Sequence, residues 1–244
     1  MNGKDIIAAG VSGIGERKSQ QDAFCMSEIG TEGFVAVLCD GMGGMLSGSK
    51  ISAEVSEKVL ALCKNSSFEE DISAGIAEIN KDIYSQYDGE GGTTLVAARI
   101  ENGKLRFWSV GDSDIWLIRD GKAYRMNRHH NYRYELYRAV INGKISVKEA
   151  EENLQKETLT QYIGARSVKP DKTRRDFALQ KGDTVMLCSD GVSKTLSIHG
   201  IVRAASHSPE DCCKELDEEI KAAKRPDQDN YSAVFMRFCK VVGE

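Results

Sequence analysis

Runs of apolar residues, separated by polar or glycine-containing turns, divide the chain into blocks of strands and blocks of helices. Near the N-terminus, the runs IIAAGVSGIG, DAFCMSEI and GFVAVLCD have the length and apolar content of β-strands. Two segments with apolar residues at helical spacing follow, from Ser49 to Lys64 and from about Phe68 to Tyr87. This order predicts a sheet followed by a pair of helices.

The middle of the chain predicts an antiparallel meander. The stretch TTLVAARIENGKLRFWSVGDSDIWLIRDGKAYRM contains consecutive hairpins, with ENGK and RDGK as their turns. A polar, helical insertion follows from about Asn127 to Gly164, and strand signals return in RRDFAL and DTVMLCSDG. A helical stretch from roughly His199 to Lys224 precedes a last strand, YSAVFMRFC. Because strands and helices come in blocks, the pattern favours helices packed on stacked antiparallel sheets over a doubly wound parallel sheet.

Composition narrows the class of protein. The 244 residues, 41% of them hydrophobic, suffice for one large domain over residues 1–244. The net charge of −4 is mild and the basic residues are scattered, which argues against nucleic acid as a partner. No apolar stretch approaches the roughly 20 residues needed to span a bilayer, and the N-terminus has no signal-peptide pattern. Seven cysteines without CxxC spacing indicate a reducing cytoplasm and no structural zinc.

Acidic residues recur at the ends of predicted strands. Asp40 in VLCDGMGG, Asp112 in FWSVGDSD and Asp190 in VMLCSDGV each follow an apolar run and lie beside glycine. Asp22 in SQQDAF and Asp229 in DQDNYS immediately precede other strands. Strand ends of a rigid sheet can converge, and carboxylates pressed together repel one another unless they share hard cations. Ligation by oxygen alone suits magnesium or manganese better than zinc.

Each of these residues, taken alone, also has an ordinary structural interpretation. An Asp-Gly pair after a strand is often a turn, Asp22 could cap a turn, and Asp229 with Asn230 could form an Asx turn. Arg17 could be a solvated loop charge. The glycine after an acid also lets the backbone approach closely, so the carbonyl of Gly41 is a further candidate ligand. The combined order of the pieces favours a common site.

Six short motifs in one register resemble those of the metal-dependent Ser/Thr protein phosphatases, the PPM or type 2C family, and in particular its bacterial branch. The motifs are RKSQQD (Arg17 to Asp22), DGMGG (Asp40 to Gly44), GGTT (Gly91 to Thr94), VGDS (Val110 to Ser113), CSDG (Cys188 to Gly191) and DN (Asp229, Asn230). The resemblance covers essentially the whole chain. It implies an α+β fold, a four-layer αββα sandwich of two antiparallel β-sheets flanked by helices, with a metal centre at one end and residues 127–164 as a flap insertion.

The resemblance also implies a role for each metal-site residue. Asp40 would bridge two ions of Mn²⁺ or Mg²⁺, with Asp190 and Asp229 completing one site. The carbonyl of Gly41 would serve the other site, and Asp22 would hold water on the metal. In such a centre a pair of cations activates water for in-line attack on phosphorus.

Two further assignments follow from the resemblance. Arg17 matches the arginine that grips the phosphate, a task suited to the fixed fork of donors on a guanidinium. Asp112, together with Asp190, matches the residues that hold a third, weaker metal. Because water is the nucleophile, no cysteine is needed, and the CxxxxxR loop of cysteine phosphatases is absent: position 194 is a lysine.

Three positions depart from the family pattern. Gln21 stands where many members carry Glu, which removes a negative group near the second metal. Asp114 replaces the arginine often found after GDS, and it could either strengthen the third-metal site or face solvent. The segment PDQDN offers two aspartates, of which Asp229 is preferred because it directly precedes Asn230, and Asp227 is the fallback.

The function implied is hydrolysis of phosphoserine and phosphothreonine in proteins, by a cytoplasmic monomer that opposes a bacterial Ser/Thr kinase. Two alternatives are a catalytically silent phosphoprotein-binding scaffold of the same fold and a phosphatase of small phosphorylated metabolites. Three tyrosines and three arginines between Arg128 and Arg138 could contact a phosphopeptide or form a solvated helix face. His129 and His130 have no partner at ligand spacing and are predicted to be surface residues.

Overall fold

A computed structural model describes residues 5–43, 47–65 and 69–240 of the chain. Its elements in chain order are β1 (Ile6–Gly13), β2 (Asp22–Ile29), β3 (Gly33–Met42), α1 (Ser47–Asn65), α2 (Glu69–Gln86), β4 (Gly92–Thr93), β5 (Leu95–Glu101), β6 (Lys104–Val110), β7 (Asp114–Arg119), β8 (Lys122–Arg125), α3 (Tyr132–Ile141), α4 (Val147–Glu152), β9 (Asp171–Lys172), β10 (Phe177–Ala178), β11 (Thr184–Cys188), α5 (Asp190–Ser193), α6 (Ile198–Ala204), α7 (Pro209–Ala223) and β12 (Tyr231–Phe238). Two predicted features, Gly44 of the DGMGG motif and a helix start at Phe68, lie outside the described residues.

The strands form two antiparallel sheets, as predicted. One sheet has the order β1-β12-β11-β7-β8, and the other has the order β10-β6-β5-β3-β2, with β4 paired to β3 and β9 paired to β6. Both predicted hairpin turns are present, and Asn102 and Asp120 adopt the left-handed conformation with φ of 51°. Asn-Gly and Asp-Gly tolerate this conformation, which matches the twist of the flanking strands.

Three hydrophobic layers hold the sandwich together. The first lies between the sheets, where Leu38 of β3 belongs to the same cluster as Leu187 of β11 and Val234 of β12. The second packs α1 and α2 on the seven-stranded sheet, and the third packs α6 and α7 on the five-stranded sheet. Helices therefore cover both outer faces, and the α+β sandwich with four layers is confirmed.

The predicted helical stretch from roughly His199 to Lys224 consists of two helices, α6 and then α7. The hydroxyl of Ser208 accepts a hydrogen bond from the backbone N–H of Asp211, and Pro209 occupies the first turn of α7. Both features favour a helix start, because a serine caps free N–H groups and proline lacks the N–H that a helix interior needs.

The predicted insertion leaves the sheets after β8 and contains the two short helices α3 and α4. It rejoins the sheet region where Ile163 pairs with Thr93 of β4 through two backbone hydrogen bonds of 2.9 and 2.8 Å. None of the helices in the described ranges combines the length and apolar character required to cross a membrane.

Candidate metal centre

A cleft of about 550 Å³ opens at one end of the sandwich. Every predicted site residue except Asp22 contributes to its lining: Arg17, Asp40, Gly41, Asp112, Asp190 and Asp229. Asp22 lies directly behind, because it is the register partner of Asp40 in the pairing of β2 with β3. The strand ends therefore bring the predicted residues together.

Strand alternation explains why acids meet at this end. Side chains two residues apart point to the same face of a sheet. Leu38 of β3 and Phe24 of β2 pack in the core between the sheets, so Asp40 and Asp22 continue that same face at the end of the sandwich. Leu187 of β11 places Ser189 there in the same way. The acids thus terminate the hydrophobic layer between the two sheets.

Two threonines of the GGTT motif fix the backbone of Asp40. The backbone N–H of Asp40 donates to the Thr94 hydroxyl at 3.0 Å, and the Thr93 hydroxyl donates to the Asp40 carbonyl at 2.9 Å. Thr94 also donates its own backbone N–H to that carbonyl at 2.9 Å. These bonds leave the Asp40 side chain as the part of the residue that faces the cleft.

Gly41 fills a position that no other residue can occupy without a shift of the backbone. A Cβ atom at this position would lie 2.4 Å from the carbonyl oxygen of Gly48 and 2.6 Å from that of Gln21. The Gly41 N–H donates to the same Gln21 carbonyl at 3.1 Å. The close approach of three backbone segments therefore explains the glycine after Asp40.

Asp22 is buried with half of its carboxylate unpaired. The Ser189 hydroxyl donates to its Oδ2 at 2.7 Å, whereas no described group forms a hydrogen bond with its Oδ1. Burial raises the pKa of Asp22 to about 6 against the opposing effect of the hydroxyls, and the charges of Asp190 and Asp229 add to the rise. A buried oxygen without a partner is costly, so this atom points to a ligand.

The pKa values of the neighbouring carboxyl groups of Asp40 and Asp112 are raised as well. Burial raises the pKa of Asp40 well above its usual range, and the charges of Asp22 and Asp190 raise it further. Burial and the charge of Asp190 raise the pKa of Asp112 to about 6, although interactions with His129 and Lys194 oppose the shift. Such crowding of like charges disfavours ionisation unless a cation joins the cluster.

Two basic side chains supply positive charge at the rim of this cluster. Arg17 Nη2 lies 2.9 Å from Asp229 Oδ2, and the ammonium group of Lys194 contacts Asp190 Oδ2. The sequence motif did not identify Lys194 as a site residue. Lys194 lies four residues after Asp190, however, and side chains at this spacing are neighbours across one helical turn. Both cations line the cleft.

The donor set fits a hard divalent cation. It consists of carboxylates, including the unpaired Oδ1 of Asp22, and oxygen donors are those preferred by magnesium and manganese. Within the described ranges, no three His, Cys, Asp or Glu side chains form a metal-binding group as they stand. The carboxylates of Asp190 and Asp229 each contact a basic side chain of the protein.

The structure excludes one of the two alternatives for Asp114. Its side chain is fully buried and does not face solvent. Its Oδ1 lies 2.8 Å from Arg125 Nε and 2.7 Å from His129 Nε2. His129 is therefore not the partnerless surface residue that was predicted, because the aspartate on β7 reaches across to it. His130 also has a partner, since its Nδ1 accepts a hydrogen bond from the backbone N–H of Gly111 at 3.1 Å.

The two candidate aspartates before β12 lie in different places. Asp229 lines the cleft, whereas Asp227 has a side chain that is 71% exposed and pairs with Arg225. The Asn230 side chain accepts the backbone N–H of Gln21 at 2.9 Å, which joins the two loops on either side of the cleft. The geometry therefore favours Asp229 over Asp227.

The two cysteines adjacent in sequence to the acidic motifs, Cys39 and Cys188, lack the properties of a nucleophile. All seven are free thiols, and Cys188, which directly precedes the Ser189–Asp190 pair, is fully buried. Burial raises the pKa of Cys188 and of Cys39 well above the usual range of a thiol. A thiol held protonated and away from solvent is inert.

Known proteins are similar to this chain in sequence. The family model described as protein phosphatase 2C matches residues 9–224. The Ser/Thr protein phosphatase PstP of Mycobacterium tuberculosis is 29% identical over 175 residues, which are 68% of this chain and 33% of PstP. The chain thus spans about a third of the length of that curated relative.

Two solved structures match nearly the whole chain. The S. agalactiae serine/threonine phosphatase superposes with a TM-score of 0.83 at 25% identity, covering 96% of this chain and 100% of that one. The catalytic domain of PstP in complex with two manganese ions has a TM-score of 0.77 at 25% identity, with 96% and 99% coverage. Together with the site geometry, these matches show that the chain belongs to the protein phosphatase 2C family.

Proposed function

We propose that this chain is a manganese- or magnesium-dependent phosphatase that hydrolyses phosphoserine and phosphothreonine in proteins. The observation that carries the proposal is the cleft in which buried and half-buried carboxylates converge beside the guanidinium of Arg17. The similarity to the PstP catalytic domain, whose structure holds two manganese ions, supports the choice of metal.

The metal roles assigned by resemblance fit the positions of the residues. Asp40 would bridge two cations, Asp190 and Asp229 would complete one site, and the Gly41 carbonyl would serve the other. Asp112 would hold a third ion together with Asp190. When bound, such cations offset the negative charge of a phosphoryl group and make water a stronger nucleophile.

Arg17 would bind the phosphoryl group. Its side chain is 56% exposed and lies in the cleft, anchored by Asp229. Two or more N–H groups of the guanidinium remain for the oxygens of a phosphate, which they bind in a fork geometry.

Asp22 would hold water on the metal. The Ser189 hydroxyl holds one carboxylate oxygen, and the Ser232 backbone N–H donates to that hydroxyl at 2.9 Å, which fixes the acid from behind. The other oxygen, Oδ1, has no partner among the described groups and can accept a hydrogen bond from water.

We also propose that residues 1–244 act as one phosphatase domain with residues 127–164 as its flap. The free thiols suit a reducing cytoplasm, where the chain would act as a monomer on the targets of a Ser/Thr kinase. Neither the silent scaffold nor the metabolite phosphatase is favoured, since the relatives are named Ser/Thr protein phosphatases and a scaffold needs no charged cleft.

Phosphate release from a phosphothreonine peptide tests the proposal. We expect turnover with Mn²⁺, loss of turnover on chelation, and recovery when Mn²⁺ is added back. Asp40→Asn serves as the inactive variant, and the exposed Asp82→Asn serves as a control for the loss of one surface charge. Turnover that persists in chelator, or no turnover at saturating Mn²⁺ and Mg²⁺, would refute the proposal.

A further inference from the structure

We propose that Lys194 is a built-in competitor of the metal at Asp190, so that a cation entering the cleft has to displace the Lys194 ammonium group. The inference rests on the proposed role of Asp190 as a metal ligand. It goes beyond that role because it makes one side chain of this chain a determinant of how tightly the metal is held.

The local helix places the two side chains together. Asp190 begins α5, and Lys194 is the residue at its C-terminal cap, four positions later. Residues at this spacing lie on one face of a helix, and the Lys194 ammonium contacts Asp190 Oδ2 directly. The lone pairs that accept from this ammonium are unavailable to a metal, and two cations on one carboxylate repel each other.

The backbone on which both residues sit is held from several sides. The Lys194 N–H donates to the Asp190 carbonyl at 2.7 Å, and the Arg225 guanidinium donates to the Lys194 carbonyl. A Cβ atom at Gly191 would lie 2.0 Å from the Asn230 carbonyl oxygen, so the first turn of α5 packs tightly against the adjacent strand. The backbone that carries Asp190 is therefore closely packed.

The Lys194 side chain, in contrast, has room to leave. Its side chain is 51% exposed, whereas that of Asp190 is 17% exposed. The ammonium group can therefore rotate into the open cleft while the carboxylate stays in place. When a metal displaces the Lys194 ammonium, the ion pair with Asp190 is lost, but the fold does not have to change.

The surrounding charges give this contact two opposite effects. The negative charges of Asp190, Asp112 and Asp40 attract the Lys194 ammonium. Without a metal, Lys194 offsets part of the repulsion within the cluster and stabilises the fold. With a metal, the same ammonium is a second cation that must be moved, and it lowers the apparent affinity.

Titration calorimetry with Mn²⁺ tests the inference on the full chain. We expect Lys194→Met to lower the Kd for Mn²⁺ roughly two- to fivefold, the range expected for the loss of a partly exposed ion pair. Lys194→Arg keeps the charge and should bind Mn²⁺ within about twofold of wild type. The matched control is Lys181→Met, which removes an exposed lysine at the opposite end of β11.

The melting temperature gives an independent readout. Metal-free Lys194→Met should melt below wild type, and saturating Mn²⁺ should remove the difference. Lys194→Gln is expected to behave in the same way and replaces the methionine variant if that fails to fold.

Three results would overturn the inference. Unchanged or weaker Mn²⁺ binding by folded Lys194→Met, with Lys181→Met equal to wild type, would show that Lys194 does not compete. An equal gain in Lys181→Met would assign the effect to net charge. Mn²⁺ binding with unchanged stoichiometry and Kd in Asp190→Ala, or no Mn²⁺ binding by wild type, would remove the proposed metal site at Asp190 and this inference with it.

Discussion

The acidic end of the sandwich and the insertion after β8 differ in how deeply their side chains are buried and how firmly the strands fix them. At the acidic end, carboxylates continue the buried faces of strands, and Asp22 and Asp40 are fixed by their register. In the insertion, large apolar side chains are exposed to solvent, with Ile141 83% exposed and Leu154 101% exposed. Rigid sheets thus hold the proposed chemistry, whereas the insertion adds exposed residues beside it and contributes Glu157 and Leu159 to the lining of the cleft.

The ion pairs of the two regions differ in the same way. Arg138 and Glu135 of α3 are both at least half exposed, and such pairs contribute little to the free energy of unfolding. The pairs of Arg17 and Lys194 border a cluster of acids that repel one another, so their loss changes the electrostatic balance of the site. Substitutions should therefore act on function at one end and on local order at the other.

The largest effect is expected for Asp190→Ala. This residue is proposed to bind two metals, so its loss should lower kcat/KM on a phosphothreonine peptide by roughly 10³-fold, as for removal of a principal electrostatic group. Circular dichroism should show an unchanged fold. Activity within tenfold of wild type at saturating Mn²⁺ would contradict the assignment.

Asp112→Ala separates the third site from the other two. Because Asp112 is proposed to hold only the third ion, turnover of a phosphopeptide should fall by roughly 10²-fold, in the range of a lost positioned proton transfer. The effect on p-nitrophenyl phosphate should be smaller, since its leaving group hardly needs a proton. Calorimetry should still detect two metals; loss of the tight ions, or equal rate losses on both substrates, would place Asp112 in the main centre.

Arg17→Ala tests the phosphate clamp. A contact made equally in the ground state and the transition state affects binding, so KM should rise by about tenfold while kcat changes less. Steady-state kinetics with the phosphopeptide measure both constants. If KM stays at the wild-type value, Arg17 is a partner of Asp229 only.

The smallest effect is expected at the contact between the two regions. Asp114→Asn weakens the bonds to Arg125 and His129, which should cost about 1–2 kcal/mol of the free energy of unfolding. The His130 backbone N–H, bonded to the Gly111 carbonyl at 2.9 Å, should exchange faster with deuterium. Unchanged exchange at His130 would mean that Asp114 does not anchor the insertion.

Much of this organisation follows from local rules that a sequence displays. The two hairpin turns and the acids beside glycine could be predicted, because Asn102-Gly and Asp120-Gly have few alternative conformations and strand ends such as Asp40 must meet at a sheet edge. Contacts set by packing could not be predicted in this way. The link from Asp114 to His129 and the approach of Lys194 to Asp190 depend on where separate elements or rotamers come to rest.

The central claim is that the converging carboxylates bind divalent cations. Anomalous diffraction from crystals grown with Mn²⁺ measures this directly. We predict two strong anomalous peaks between Asp40, Asp190 and Asp229, with the Lys194 ammonium moved away from Asp190. A cleft without anomalous peaks at saturating Mn²⁺, or Mn²⁺ ions bound only elsewhere on the surface, would contradict the account.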